Sequence, residues 1–408
     1  MSGSSPFPHV ALSELYLVPS RNGVLVPKGL RDKGTAMINM GELFRYGRVG
    51  DSDMARVPLT AVDRERSLVH EGDLLFARRS LQLSGAGKCS IVVRGTEDRT
   101  FESSIIRVRV DPKRASPELL YYFFNSTAGR AEMNTIVEQA VVAGIRASDL
   151  QRLKVPAPPM PEQRGIAATL GALDDKIESN QRRRELLRNV GFSLLAKSTL
   201  ASPWGTQLST VSLSIARGVA PKYVDEPSAG LVLNQKCIRG GRVDPARARR
   251  MTITGVPDHK RARTGDILVN STGAGTLGRV GRWHEGDVFV DSHISVIRPD
   301  PGKYPAACLA YVLLQMQTDI EQLATGSTGQ TELSRERLGS LRLVLPAPTE
   351  ALAIEQQLQE FEAGIAHAAD EIVSLTTLRD ALLPELLSGR LRVPEAREAV
   401  AEVVDVHD

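Results

Sequence analysis

Glu162-Gln163-Arg164-Gly165-Ile166-Ala167-Ala168-Thr169-Leu170-Gly171-Ala172-Leu173 returns 188 positions later as Glu350-Ala351-Leu352-Ala353-Ile354-Glu355-Gln356-Gln357-Leu358-Gln359-Glu360-Phe361, with the large apolar residues Ile166, Leu170 and Leu173 matched by Ile354, Leu358 and Phe361. The same offset relates Ile177 to Ile365, Leu187 to Leu375 and Leu194-Leu195 to Leu382-Leu383; upstream it relates Leu150 to Leu338 and Leu153 to Leu341. A period this long exceeds that of solenoid repeats, so the chain holds a duplicated domain, each copy followed by a helix.

The helical reading rests on spacing. Apolar residues step by four and three through Ile166, Leu170, Leu173 and Ile177, and in the second copy through Ile354, Leu358, Phe361, Ile365, Ala368, Ile372 and Leu375. That is a heptad seam. Helices of roughly 35 residues are about 50 Å long. Such a stripe needs a partner, and the other copy is the obvious one; the alternative is each helix folding back onto its own domain. The residues predicted to pair the helices are Ile166, Leu170, Leu173, Ile177, Leu187, Ile354, Leu358, Phe361, Ile365, Ile372 and Leu375. Asn180 and Arg184 interrupt the first seam, and polar groups at core positions fix register at some cost in stability. Pro384 predicts a kink or an end before Leu386-Leu387-Ser388, with Gly389 as C′.

Ahead of each helix lies an α/β unit. Leu74-Leu75-Phe76 and Ile105–Val110 read as strands, as do Ile267-Leu268-Val269 and Ile294–Ile297. Gly72-Asp73 and Gly265-Asp266 precede the first strand of each pair, and Asp111-Pro112 and Asp300-Pro301 end the second. Ser116-Pro117-Glu118 offers an N-cap, a Pro at N1 and a first-turn acid before Leu119–Phe124, and Pro305 precedes Leu309–Leu314. Ile38 to Val49 pairs without a gap with Val232 to Val243. Both units end in proline runs, Val155–Pro161 and Leu345–Pro348, which serve as stiff hinges.

At 408 residues, 42% hydrophobic and 24% charged, the chain has the composition of a globular protein of two or three domains. Its longest apolar runs fall short of the roughly 20 residues of a membrane span, and Met1-Ser2-Gly3-Ser4-Ser5-Pro6 has neither a basic start nor an apolar run. A cytoplasmic protein without membrane attachment is expected. Cys89, Cys237 and Cys308 are far apart, which predicts reduced thiols and neither a disulfide framework nor a zinc site. The net charge of +3 hides an asymmetry: Glu350 to Asp408 holds 13 acidic and 4 basic residues, leaving the body of the chain strongly basic. A basic body with an acidic helical end suits a nucleic-acid binder with a separate protein-docking surface.

Gly273-Ala274-Gly275-Thr276-Leu277-Gly278 satisfies the dinucleotide pattern G-x-G-x-x-G. The stretch that follows, Arg279-Val280-Gly281-Arg282-Trp283, is short and strand-like, whereas a phosphate cradle needs a helix there. The favoured reading is a tight strand connection in which glycine supplies φ > 0. The chain contains no Asn-Pro dipeptide, no Asp-Pro-Pro, no Gly-x-Ser-x-Gly and no His-Glu-x-x-His, so no catalytic residue and no metal ligand is assigned.

Charge carries the strongest chemical signal. Lys236, Arg239, Arg242, Arg247, Arg249, Arg250, Lys260, Arg261 and Arg263 share a stretch with only Asp244 and Asp258, and Arg279 follows. The first copy has Arg45, Arg48, Arg78, Arg79, Lys88 and Arg94 in corresponding or neighbouring places. Arginine binds guanine edges and phosphates in bidentate fashion, so these residues are the candidate DNA contacts; solvated surface charge is the alternative for any one of them. Arg182-Arg183-Arg184 reads as a solvated or phosphate-facing helix surface.

Taken in order, several motifs resemble the specificity (S) subunit of type I restriction-modification systems. They are Val155-Pro156-Ala157-Pro158 through Pro161-Glu162-Gln163, Ile166-Ala167, Leu173-Asp174-Asp175-Lys176-Ile177, Trp204, Gly326-Ser327-Thr328-Gly329-Gln330, Leu345-Pro346-Ala347-Pro348, and Leu382-Leu383-Pro384-Glu385-Leu386-Leu387-Ser388-Gly389-Arg390-Leu391. Two departures stand out: the second proline run lacks the Pro-Glu-Gln triplet, and Ala140–Gly144 replaces a Gly-Ser-Thr-rich stretch. The resemblance implies an α/β (α+β) protein of two tandem target-recognition domains, each followed by a long helix, the helices pairing as an antiparallel coiled coil. The expected divisions are 1–156, helix 157–202, 203–346, helix 347–393, and an acidic tail 394–408. It further implies a non-catalytic subunit reading an asymmetric split DNA target. S-adenosylmethionine belongs to adenine methyltransferase partners, two per complex, and ATP with Mg to a restriction/translocase partner where one exists; this chain carries no cofactor. The competing readings are a methyltransferase or nuclease with an unrecognised active site, and a coiled-coil scaffold.

Overall fold

The computed structural model describes residues 7–138, 142–252, 257, 260–325 and 332–404. Gly326–Gln330, Ala140 and Val141 of the motifs above lie outside them, as do Met1–Pro6, Asp258 and the last four residues. The chain forms two compact units, 1–180 with 370–408, and 181–369. Each therefore takes one half of each long helix, so the compact units are not the linear segments into which the sequence divides.

In the first unit, the strand Ile105–Val110 lies between Tyr16–Asn22 and Leu74–Ala77, and the sheet continues through Cys89–Val92 to Arg48–Val49. Pairing is antiparallel except for the last two strands. A three-stranded sheet places Thr35–Ile38 between Arg56–Val57 and a parallel neighbour, Arg99–Phe101. The second unit repeats this order: Ser212–Arg217, Ile294–Pro299, Ile267–Asn270, Val280–Arg282 and Arg242–Val243, with Ile238–Arg239 added at the edge. Its smaller sheet runs Arg249–Met251, Gly230–Leu233, Val288–Val290 and Arg261–Ala262. All four strands expected from the sequence are present.

The Gly-Asp cue marks more than a strand start. Gly72 (φ +84°) and Gly265 (φ +94°) make left-handed turns. The aspartate after each is buried and accepts two hydrogen bonds from a guanidinium on the neighbouring strand: Asp73 from Arg109, Asp266 from Arg298. Each also caps its own turn, accepting from the His70 and Arg263 backbone N–H respectively.

Ser116 caps the helix Pro117–Asn125, with Pro at the first position, and Leu119, Leu120, Tyr122, Phe123 and Phe124 are buried beneath it. Phe124 meets Phe76 of the sheet edge to face, centroids 5.0 Å apart. The corresponding helix, Ala306–Gln315, buries Leu309, Tyr311 and Leu313.

The proline runs begin as edge strands: Lys154–Pro156 pairs with His9–Ala11, and Arg342–Pro346 with Pro203–Gln207. Prolines are tolerated there because an edge strand need not donate. Immediately beyond start the long helices, Met160–Ala201 and Pro348–Ser388. Ile166, Leu170, Leu173, Ile177 and Leu375 are buried in the first unit's core, with Ile372 packed against it. Ile354 and Leu358 are buried in the second unit's core, with Phe361 packed against it; Ile365 is buried too. As numbers rise on one helix they fall on the other. In the first unit Asp174 meets Arg379 at 2.7 Å and Lys176 faces Glu371 at 3.8 Å; in the second a Cβ at Gly364 would lie 2.9 Å from Leu187. The two helices are therefore antiparallel in the first unit, and they are in contact in the second.

Two local expectations change. The second long helix continues through Pro384 to Ser388, where Gly389 (φ +70°) is the C′ residue. Packing of Leu382, Leu383, Leu386 and Leu387 into the first core holds the turn around the proline together. Residues 394–408, set apart in the sequence by their acidity, include most of a helix, Val393–Val404, with Val393, Ala396 and Val400 buried in that same core.

Candidate nucleic-acid interface

Three of the first unit's predicted cations, Arg78, Arg79 and Lys88, lie on the connection from Leu74–Ala77 to Cys89–Val92. Arg79 opens a short strand that pairs with Ala143–Gly144, and its side chain is exposed; Arg78 is half-buried. The Lys88 ammonium donates to the Phe44 carbonyl at 2.7 Å and sits 5.3 Å from the Phe44 ring. Burial, and then Arg130, lowers its pKa. Arg45 is exposed and lies over Tyr46, and Arg94 is exposed. Arg48 plays a different part, because its guanidinium binds Asp175 at 2.5 Å and Glu178 at 3.4 Å and so fastens the small edge strand to the first long helix.

In the second unit, Arg239-Gly240-Gly241-Arg242 is a tight hairpin turn. Gly240 (φ +58°) and Gly241 (φ +73°) supply the two left-handed residues that such a turn requires. Arg239 and Lys236 are exposed, and Arg242 is half-buried. Arg247, Arg249 and Arg250 are exposed, each with a fixed partner: the Asp244 carboxylate at 2.9 Å, the Tyr223 ring face at 3.6 Å, and the Ala229 carbonyl at 2.7 Å. Tyr223 in turn donates to Asp291; burial, and then Asp291, pushes its hydroxyl up to about 12. Arg261 lies 4.6 Å from the Phe289 ring centroid, Lys260 is half-buried and Arg263 is exposed. Arg249 and Arg250 thus belong to one edge strand of the smaller sheet and Arg261 to the other. Arg249 and Arg261 are thus held on ring faces and Arg247 and Arg250 by polar partners, so these side chains have less conformational freedom left to lose on binding an anion.

The glycine-rich connection behaves as its context predicts. Gly273, Gly275 and Gly278 have φ of +97°, +70° and +82°, and the strand Val280–Arg282 follows. Arg279 folds back to donate to the Gly275 carbonyl at 2.7 Å, so this predicted DNA contact braces its own loop.

Several functional-looking residues escape the sequence. Arg130 donates to the Ser84 and Ala86 carbonyls, and Tyr223 supports Arg249 from 26 positions away. Arg184 on the long helix is half-buried, its pKa lowered by burial and then by Arg188 and Arg242. Arg282 pairs with Glu362 of the second long helix, and burial pushes that carboxyl up to about 7. No local motif marks any of these. The three thiols are buried, and burial pushes Cys237 up to about 11 and Cys308 up to about 12, which suits packing rather than nucleophilic attack. Among the described residues no group of three or more His, Cys, Asp or Glu side chains could hold a metal ion, and no helix is long and apolar enough to cross a membrane.

Residues 28–189 match the family profile of the type I restriction modification DNA specificity domain. Over 192 residues the chain is 29% identical to the type I restriction enzyme EcoKI specificity subunit of Escherichia coli (strain K12), covering 45% of this chain and 41% of that relative. The chain thus aligns with about two fifths of that relative's length. Its fold is similar to that of the type I restriction-modification S subunit from M. genitalium, with a TM-score of 0.59 at 16% identity over 95% of this chain and 97% of that one.

Proposed function

We propose, from the match of residues 28–189 to the type I restriction modification DNA specificity domain and the likeness to the EcoKI specificity subunit, that this chain is a specificity subunit of the type I restriction-modification kind, the non-catalytic DNA-recognition subunit of such a complex. Each unit reads one part of a split, asymmetric double-stranded target. The long helices set the spacing and dock two adenine methyltransferase subunits, together with restriction/translocase subunits in complexes that contain them. S-adenosylmethionine and ATP with Mg act in those partners, in the cytoplasm.

One observation carries this reading. The two units repeat one sheet order, yet their equivalent loops carry different residues, Arg78–Lys88 in one and Ser271–Arg279 in the other. A common frame with unlike reading loops is what an asymmetric two-part target demands, because base edges are discriminated by the groups presented and not by the frame. Joining two readers in one chain makes the second contact intramolecular, and discrimination multiplies across both.

The test is transfer of labelled methyl groups from S-adenosylmethionine to DNA by the chain alone, by the methyltransferase subunits alone, and by both together. Sequence-specific incorporation is expected only in the mixture. Incorporation by the chain alone would establish an enzyme with its own active site. A mixture that assembles without sequence preference would establish a scaffold.

A further inference from the structure

We infer that the loop Ser80–Gly87 of the first unit is a rigid finger whose tip, Leu81, inserts as an apolar wedge between stacked base pairs of the DNA. The inference rests on the DNA-recognition reading above. Leu81 is 88% exposed and Leu83 49%, beside a ring, Phe44, that is 38% exposed. Single exposed leucines are ordinary on a protein surface, and Leu25 and Leu200 are each 84% exposed, so exposure alone does not mark Leu81; the bracing of its loop and the charge around it do.

The display is built rather than loose. Arg79 and Ser80 are fixed by pairing with Gly144 and Ala143. The Ser80 hydroxyl accepts the Gln82 N–H at 3.1 Å, and the Gly85 N–H reaches the Gln82 carbonyl at 2.9 Å. From behind, one guanidinium nitrogen of Arg130 holds both the Ser84 and Ala86 carbonyls at 3.0 Å. Gly87, at φ +68°, closes the loop against the Ala77 carbonyl. A tip braced this way loses little conformational freedom on insertion, the condition under which an exposed leucine binds rather than collapses.

Charge selects the occupant. From Leu74 to Thr96 the chain carries Arg78, Arg79, Lys88 and Arg94 and no acidic residue. An apolar tip on a loop entered through Arg78-Arg79 and left through Lys88 fits a polyanion with an apolar stacked interior; wedge residues in DNA-bending proteins are leucine, isoleucine, methionine, phenylalanine or proline, used together with arginine or lysine. The equivalent loop of the second unit presents exposed Ala274 and Gly275 instead, so wedging belongs to one half-site only.

The experiment uses the full chain reconstituted with its methyltransferase subunits, on duplexes of the methylated target carrying 2-aminopurine at successive steps of the half-site read by the first unit. The wild-type complex is expected to raise 2-aminopurine emission at one step. Leu81→Ala should abolish that rise and weaken target binding about ten- to a hundredfold. Its salt dependence and its assembly with the methyltransferase should be unchanged, and Leu81→Met should restore both signals. A Leu81→Ala complex that matches wild type in emission and affinity would overturn the wedge while leaving the recognition reading intact. Loss of assembly would reassign the finger to a protein partner. A wild-type complex without sequence preference would remove the recognition reading itself.

Discussion

Asp73 accepts two 2.7 Å hydrogen bonds from the Arg109 guanidinium inside the first unit, and Asp266 with Arg298 repeats the arrangement in the second. Asp73 and Asp266 are buried and anchor the turns that lead into the central strands, so each pair couples a tight turn to the neighbouring strand of its sheet.

Removing one member leaves a buried charge unpaired, which typically costs about 3–5 kcal/mol. Asp73→Ala and Arg109→Ala are each expected to destabilise the chain by that order in urea titration. The double variant should fall short of the sum of the two, since they share one interaction. Additive losses would mean that the two side chains contribute separately.

Glu362 supplies a pH signature. Burial raises its carboxyl to about 7, above the ordinary carboxylate range. A folded-state pKa above the unfolded one means that the folded form holds the proton longer. The stabilisation is therefore complete below about pH 4 and is lost as pH rises through 7, at up to roughly 1.4 kcal/mol per pH unit. Between pH 5 and 8 wild type should lose stability relative to Glu362→Gln. The difference between the two melting curves isolates this group from the titrating histidines; a difference independent of pH would contradict the assignment.

Arg247, Arg249 and Arg250 separate holding from reading. Replacing all three with Ala should weaken DNA binding by the reconstituted complex and flatten its salt dependence by up to about 0.9 for each phosphate no longer neutralised. Discrimination at the half-site read by the first unit should persist. An unchanged slope across a salt series would return these arginines to solvated surface.

If the long helices measure distance, inserting four residues after Gln181 adds about 6 Å, close to two base pairs at roughly 3.4 Å each, and keeps nearly one helical turn of phase. The methylated target is then expected to gain spacer bases with both half-sites unchanged. A changed half-site at constant spacing would mean that the helices read bases.

The duplication, the two seams and the strands after Gly72-Asp73 and Gly265-Asp266 were legible because they depend on local spacing and turn chemistry. Strand order was not: the parallel pairing of Arg48–Val49 with Cys89–Val92 joins segments about 40 residues apart and leaves no periodic trace. The basic stretches were legible as a charge concentration, but the partner of each arginine was not. That Arg48 fastens a strand to Asp175, 127 positions away, or that Arg249 rests on Tyr223, follows only from tertiary packing. Of the two readings of Pro384, a kink or an end, the end is overturned: four buried leucines carry the helix onward.

The central claim is tested most directly by methylation-sensitive sequencing of a genome in which this chain is expressed beside its methyltransferase subunits. Methyl groups are expected on adenines of one split motif, two unlike half-sites separated by a fixed number of unspecified bases, and nowhere when the chain is omitted. A continuous or symmetric motif, or the same pattern without this chain, would contradict it.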